Sequence, residues 1–267
     1  MSRSHTGPPA SPGPGHQAPA PGAGPRNVSL LDGLALVAWM FVGQILLYGI
    51  ALELGIVGQG DATLDRFVQV SVMSAVLAST LAWLGLRGRL GDALAFGRRA
   101  RALDLAVGVG AGVAGFVVLL IGLGLLFQSL GLGEPEQQAL DDAATGGIDA
   151  LLAVALAVVL APLLEELVFR GAFYRSLSRH VGMWPAALIS SGVFTVVHIE
   201  IVTSAPHYLL QLFLLGLVFA WLYERTGNLL APVAAHLVFN GISITLAILA
   251  GRYEQLDELA AHLRLLG

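Results

Sequence analysis

The chain has 267 residues, 56% of them hydrophobic and only 12% charged, and a mean hydropathy of +0.77. Soluble domains carry about a quarter charged residues, so this balance excludes an ordinary soluble globular protein and points to a membrane protein. With no cysteine there is no disulfide, thiol nucleophile or thiolate metal site; the net charge is −4, and no nucleic-acid partner is expected.

Residues 1–28 read as a disordered Pro/Gly-rich tail. Seven of the twelve prolines fall within it, and it holds almost no large apolar side chain to offset its ordering entropy. It lacks the apolar core of a signal peptide, so the first hydrophobic segment is expected to stay in the mature protein. A membrane-crossing helix needs roughly 20 apolar residues. Stretches near 33–52, 67–86, 105–127, 150–170, 183–203, 208–224 and 230–250 qualify. The expected fold is therefore all-α, a polytopic transmembrane helical bundle of about seven spans. Three spans lie in 29–148 and four form a core over 149–251. An amphipathic helix over 252–267 is expected to lie along an interface. In the third span Gly108 and Gly112 have the GxxxG spacing that suits close helix packing.

The loop 87–101 has five arginines and one aspartate, whereas 131–147 has four acids and no base. The positive-inside rule puts the first loop in the cytoplasm and the second outside. Alternation then leaves ten arginines inside and three outside, with Arg170 inside a span and the N-terminus cytoplasmic. Much Ala, Gly and Leu with no lysine fits a GC-rich bacterial genome, and hence a multi-pass protein of a bacterial inner membrane, with the lipid bilayer as a constant partner.

A charge inside hydrocarbon costs several kcal/mol, about 2.5–3.5 even on lenient scales, so intramembrane ionisable groups point to function. In the last four spans they are Glu165, Glu166, Arg170, His198, Glu200, His236 and, at a span end, Glu224, with Asn240 as a polar amide. Glu166 and Arg170, four apart, share a helix face and can pair; Glu165, turned by about 100°, faces another neighbour. His236 and Asn240 share a face, as do Phe194 and His198, whereas Glu200 faces elsewhere. Pro162 precedes Glu165 by three residues and Pro232 precedes His236 by four. Each is expected to kink its helix beside a water-filled cavity that opens to the cytoplasm.

These residue types fit water activation. A carboxylate takes a proton from water, an imidazole orients that water, and a second His with Asn donates to a developing oxyanion. Equally, Glu165, His198 and His236 match the two-His, one-carboxylate set of a catalytic divalent metal such as zinc. Both readings fit, the one with a metal and the one with none. The absence of HExxH and of a mid-membrane Asp sets aside two other protease chemistries. Ser190 and Ser191 in "ISSG" read as small packing residues.

The motifs "EELVFR", "FTVVH" and "HLVFN", in that order over about 150–245, resemble those of the CPBP family, which includes the CAAX prenyl endopeptidase of the Rce type and bacterial Abi proteins. The resemblance implies a membrane endopeptidase, usually labelled a metalloprotease, acting on a membrane-associated protein or peptide. By position Glu165 resembles the water-activating glutamate and His198 its partner. His236 and Asn240 resemble the oxyanion or ligand pair, and Glu166 and Arg170 complete the first motif. The alternatives are a non-catalytic bacteriocin-immunity or scaffold protein and a proton-coupled transporter. The resemblance does not carry over a CAAX substrate, because bacteria generally lack prenylated CAAX proteins.

Overall fold

A computed structural model describes residues 27–95, 97, 100–133, 147–198 and 205–266, without the side chains of 252 and of 254 onward. The tail through 26, most of the acidic loop 131–147, and Glu200 lie outside the described residues. What is described is helical, with no strand: α1 Leu30–Glu53, α2 Ala62–Leu86, the short α3 Leu90–Leu94, α4 Ala102–Ser129, α5 Gly147–Val181, α6 Met183–Val196, α7 Leu209–Thr226 and α8 Leu230–Leu266. Large apolar side chains such as Ile45, Phe67 and Leu125 are exposed around the bundle, as a lipid environment favours. The protein is a multi-pass helical membrane protein.

Among the described residues six helices, not seven, are long and apolar enough to cross a membrane. Within the described part of the stretch 183–203, residues 183–198, stands the 14-residue α6, about 21 Å long at 1.5 Å per residue. It closes in a tight turn where the His198 N–H reaches the Thr195 carbonyl at 3.2 Å. The last span runs without interruption into the C-terminal segment, as one helix of 37 residues.

The two prolines behave differently. Pro232 does not kink α8: it sits in the first turn, where its missing N–H is one that no carbonyl of the helix awaits. Pro162 lies in the middle of α5, which passes through it by widening. Ala155–Leu160 before it and Glu166–Tyr174 after it are π-helical, a local winding that recurs at functional sites.

Close packing joins the first three spans to the rest. A Cβ on Gly108 would stand 2.4 Å from the Ala231 carbonyl oxygen, and one on Gly112 2.5 Å from that of Ala235. The GxxxG stripe of α4 is thus seated on the backbone of α8. Gly33 of α1 does the same against α5, where its Cβ would lie 2.6 Å from Ser176 Oγ.

At the arginine-rich end, three aspartates fasten the helix ends together. Asp32 closes a capping box with Ser29 and pairs with Arg87 at 3.0 Å and with Arg89. Asp104 accepts from Asn228 Nδ2 at 3.0 Å, tying the start of α4 to the α7–α8 turn. Gly227 makes that turn in the left-handed region, at φ +69°. Asp92, in α3, accepts from the Val28 N–H at 2.8 Å, from Arg175 Nη2 at 3.0 Å and from Arg179 Nη1 at 3.0 Å. Burial pushes its carboxyl up, but the Val28 N–H and the two arginines outweigh that and hold it below its ordinary 3.8.

A depressed folded-state pKa gives stability that is present above the unfolded value and lost as pH falls through the folded one. Asp92→Asn should therefore lower the unfolding midpoint in detergent at pH 7, and its difference from the parent should shrink as pH falls below about 4. Gly112→Ala is expected to cost about 1–3 kcal/mol by the same measurement, because backbone stands where the methyl must go. Gly110→Ala, which meets nothing within 4 Å, should be neutral or stabilise by about 0.5–1 kcal/mol.

Candidate active site

The site is built on α5. Glu166 and Arg170 are both fully buried. Arg170 Nη1 donates to Glu166 Oε1 at 3.1 Å, and Nη2 donates to the Gly216 carbonyl of α7 at 3.1 Å. Three rings surround the guanidinium, with centroids at 4.6 Å (Phe194), 5.2 Å (Phe219) and 5.9 Å (Phe169). Desolvated cation–π contacts of this kind contribute about 2 kcal/mol, and a planar guanidinium is the cation best suited to burial between rings. Gly216 allows the approach of α7, since a Cβ there would be 3.0 Å from Ser191 Cβ. Ser190 and Ser191 are indeed buried packing residues.

Glu166 does more than pair with Arg170. Its Oε1 also accepts from His236 Nδ1, 2.9 Å away on α8. That bond directs His236 Nε2 toward Glu165, whose Oε2 lies at 3.8 Å. The gap exceeds direct hydrogen-bond range and is of the kind bridged by a water. Phe219 stacks on the His236 ring at 4.7 Å. On α6, Phe194 fixes the other imidazole: its carbonyl accepts from His198 Nδ1 at 2.7 Å, and the two rings lie 4.8 Å apart. With Nδ1 as donor, neutral His198 presents the lone pair of Nε2. Phe194 therefore contacts both histidines and the arginine, which explains an aromatic residue at that spacing.

Asn240 has a different anchor. The π-helical winding bonds the Ala161 N–H to the Leu156 carbonyl. The next donor in that register is Pro162, which has no N–H. The orphaned Ala157 carbonyl accepts from Asn240 Nδ2 at 2.9 Å instead. Pro162, just before the first motif, and Asn240, which closes the last, are thus complementary.

Glu165, His198, His236 and Asn240 line one cavity of about 290 Å³, together with Tyr208, Gln211 and Ser243 and apolar residues of α4, α7 and α8. Glu166 and Arg170 stand behind its wall. A second cavity, of about 180 Å³, adjoins α1 and α2 through Met40, Gln44 and Met73. Glu165 and His198 line both cavities and so form a partition between them. Among the described residues no three His, Asp or Glu side chains stand close enough to hold a metal ion. As placed, Glu165, His198 and His236 do not draw together into the three-ligand set of a catalytic zinc site. Glu224, at the end of α7, instead accepts from the Tyr174 hydroxyl at 2.9 Å. Gln211 escapes a search for ionisable groups; its one signal in the sequence is a lone amide in an apolar span.

Within this multi-pass helical bundle Glu166 and His236 are buried and Glu165 and His198 half-buried. Residues 147–242 match the family model "Type II CAAX prenyl endopeptidase Rce1-like". The chain is 30% identical over 138 residues to "Putative membrane peptidase YdiL" of Bacillus subtilis (strain 168), covering 48% of this chain and 52% of that protein. It is 36% identical over 134 residues to an uncharacterized 24.3 kDa protein of Escherichia coli, covering 49% and 60%. For YpbD of B. subtilis, also uncharacterized, the figures are 33% over 81 residues, 29% and 36%. The chain thus spans between about a third and three-fifths of the length of these curated relatives. No solved structure matches it.

Asn240→Leu removes the donor that the Ala157 carbonyl receives and should cost about 1–3 kcal/mol of stability. In a Pro162→Ala background, which restores a backbone N–H, the same change should cost measurably less. Unfolding midpoints of the four proteins in a double-mutant cycle check this.

Proposed function

We propose that the protein is an intramembrane endopeptidase that hydrolyses a peptide bond of a membrane-associated protein or peptide, using water activated by Glu165. The observation that supports this most directly is the convergence of Glu165, His198 and His236 on one cavity inside a membrane bundle. The family model's name and that of the B. subtilis relative favour a peptidase. The arginine-rich loop 87–101 and the N-terminus are assigned to the cytoplasm on the positive-inside rule.

In this reading a water between Glu165 and His198 gives one proton to the Glu165 carboxylate while its oxygen adds to the carbonyl carbon. His198 Nε2 accepts the water's other O–H and aims it. Glu166, locked by Arg170, acts through His236 as a positioning residue, keeping the Nε2 edge of that ring toward the cavity. The proton on Glu165 then passes to the departing nitrogen, the C–N bond breaks, and acid and amine are released with Glu165 ionised again. General base catalysis of this kind is worth about 10²–10⁴ in rate.

The test is cleavage of a membrane-anchored peptide by purified, reconstituted protein. Glu165→Gln and His198→Ala are each expected to lower turnover at least about a hundredfold with the unfolding midpoint retained. Full activity in both variants would end this reading.

A further inference from the structure

Gln211 is one of the polar groups in the cavity that the chemistry above leaves unused. It sits in the first turn of α7, 5% exposed, and lines the same cavity as Glu165, His198 and His236. Its neighbours on the wall are anchored to the protein. His198 Nδ1 bonds the Phe194 carbonyl, Asn240 Nδ2 that of Ala157, and Ser243 Oγ that of Phe239. Gln211 Oε1 is buried and receives no hydrogen bond from any described residue. An acceptor left in that condition costs stability, and native structures keep few of them. An apolar side chain of similar shape would fit among Leu212, Leu215 and Leu120 on the same wall without that cost.

We infer that Gln211 is a substrate-positioning residue whose Oε1 accepts a hydrogen bond from a backbone N–H of the bound peptide. This rests on the peptidase reading and extends it. A carboxamide offers an acceptor and donors side by side, the same complement as a peptide unit, so it recognises main chain whatever the side chains are. The apolar walls formed by Leu120, Leu215, Phe239 and Ile244 then favour a peptide with apolar side chains near the scissile bond. An amide buried among apolar groups gains more from a substrate N–H than it would in water.

The experiment uses the full chain in phosphatidylglycerol-containing proteoliposomes with an apolar Leu/Ala peptide that carries a fluorophore and a quencher. Binding is read in a Glu165→Gln background, so that it does not depend on turnover. Gln211→Met is expected to weaken binding about three- to tenfold, the worth of one net hydrogen bond. In the parent background it should raise KM by a similar factor with kcat within about twofold. The unfolding midpoint of Gln211→Met should not fall, because the change removes an unsatisfied acceptor. N-methylating the peptide one amide at a time should reveal one position whose loss matches that of Gln211→Met and adds nothing to it.

Unchanged binding in Gln211→Met, or weaker binding that comes with a lowered midpoint, would overturn the inference. A peptide that binds through Gln211 but is not cut by the parent protein would instead sink the peptidase reading and leave the role of Gln211 in place.

Discussion

The buried Glu166–Arg170 pair is the constraint on which the site depends. Neither charge reaches solvent, so each must be met within the protein, and the partners come from three directions. Gly216 of α7 gives a carbonyl, α8 gives the His236 Nδ1–H, and three phenylalanines enclose the guanidinium. Because leaving one member of such a pair unmet costs about 3–5 kcal/mol, the positions of α5, α7 and α8 are coupled electrostatically as well as by packing. The orientation of His236 is a by-product of that coupling.

Glycine supplies the complementary half of the design. With little hydrophobic drive to press helices together inside lipid, close van der Waals approach has to do that work. Gly33, Gly108, Gly112 and Gly216 each stand where a Cβ would strike a neighbour at 3.0 Å or less. The three aspartates at the arginine-rich end finish the assembly from outside the apolar region. The first three spans, which carry none of Glu165, Glu166, Arg170, His198, His236 or Asn240, are by these contacts part of the scaffold that holds the helices carrying those residues.

Much of this was legible in the sequence wherever a local period carries the information. Helix spacing separates Glu165 from Glu166, pairs Glu166 with Arg170 and pairs Phe194 with His198, and hydropathy finds the spans. What was not legible depends on partners far apart in the chain. Nothing local shows that Glu166 directs His236, 70 residues away, or that Asn240 answers the carbonyl orphaned by Pro162. The expected kink at Pro232 failed because a proline's effect depends on its distance from the helix start, which hydropathy locates only to within a few residues. Within the expected span 183–203, α6 ends at the Thr195–His198 turn, a stop that apolar composition does not signal.

The partition formed by Glu165 and His198 also limits the shape of what can reach it. An α-helix with its side chains is about 10–12 Å across, too broad for two small chambers of about 290 and 180 Å³ that meet at a single carboxylate–imidazole wall. On the proposed peptidase reading, a polypeptide held beside Glu165 would have to be extended rather than helical. A membrane-spanning helix would have to unravel over that length first, giving up its internal hydrogen bonds where lipid offers none in return. Selection would then act on how readily a segment unwinds, favouring glycine, proline or a membrane boundary near the bond, before any side chain is recognised.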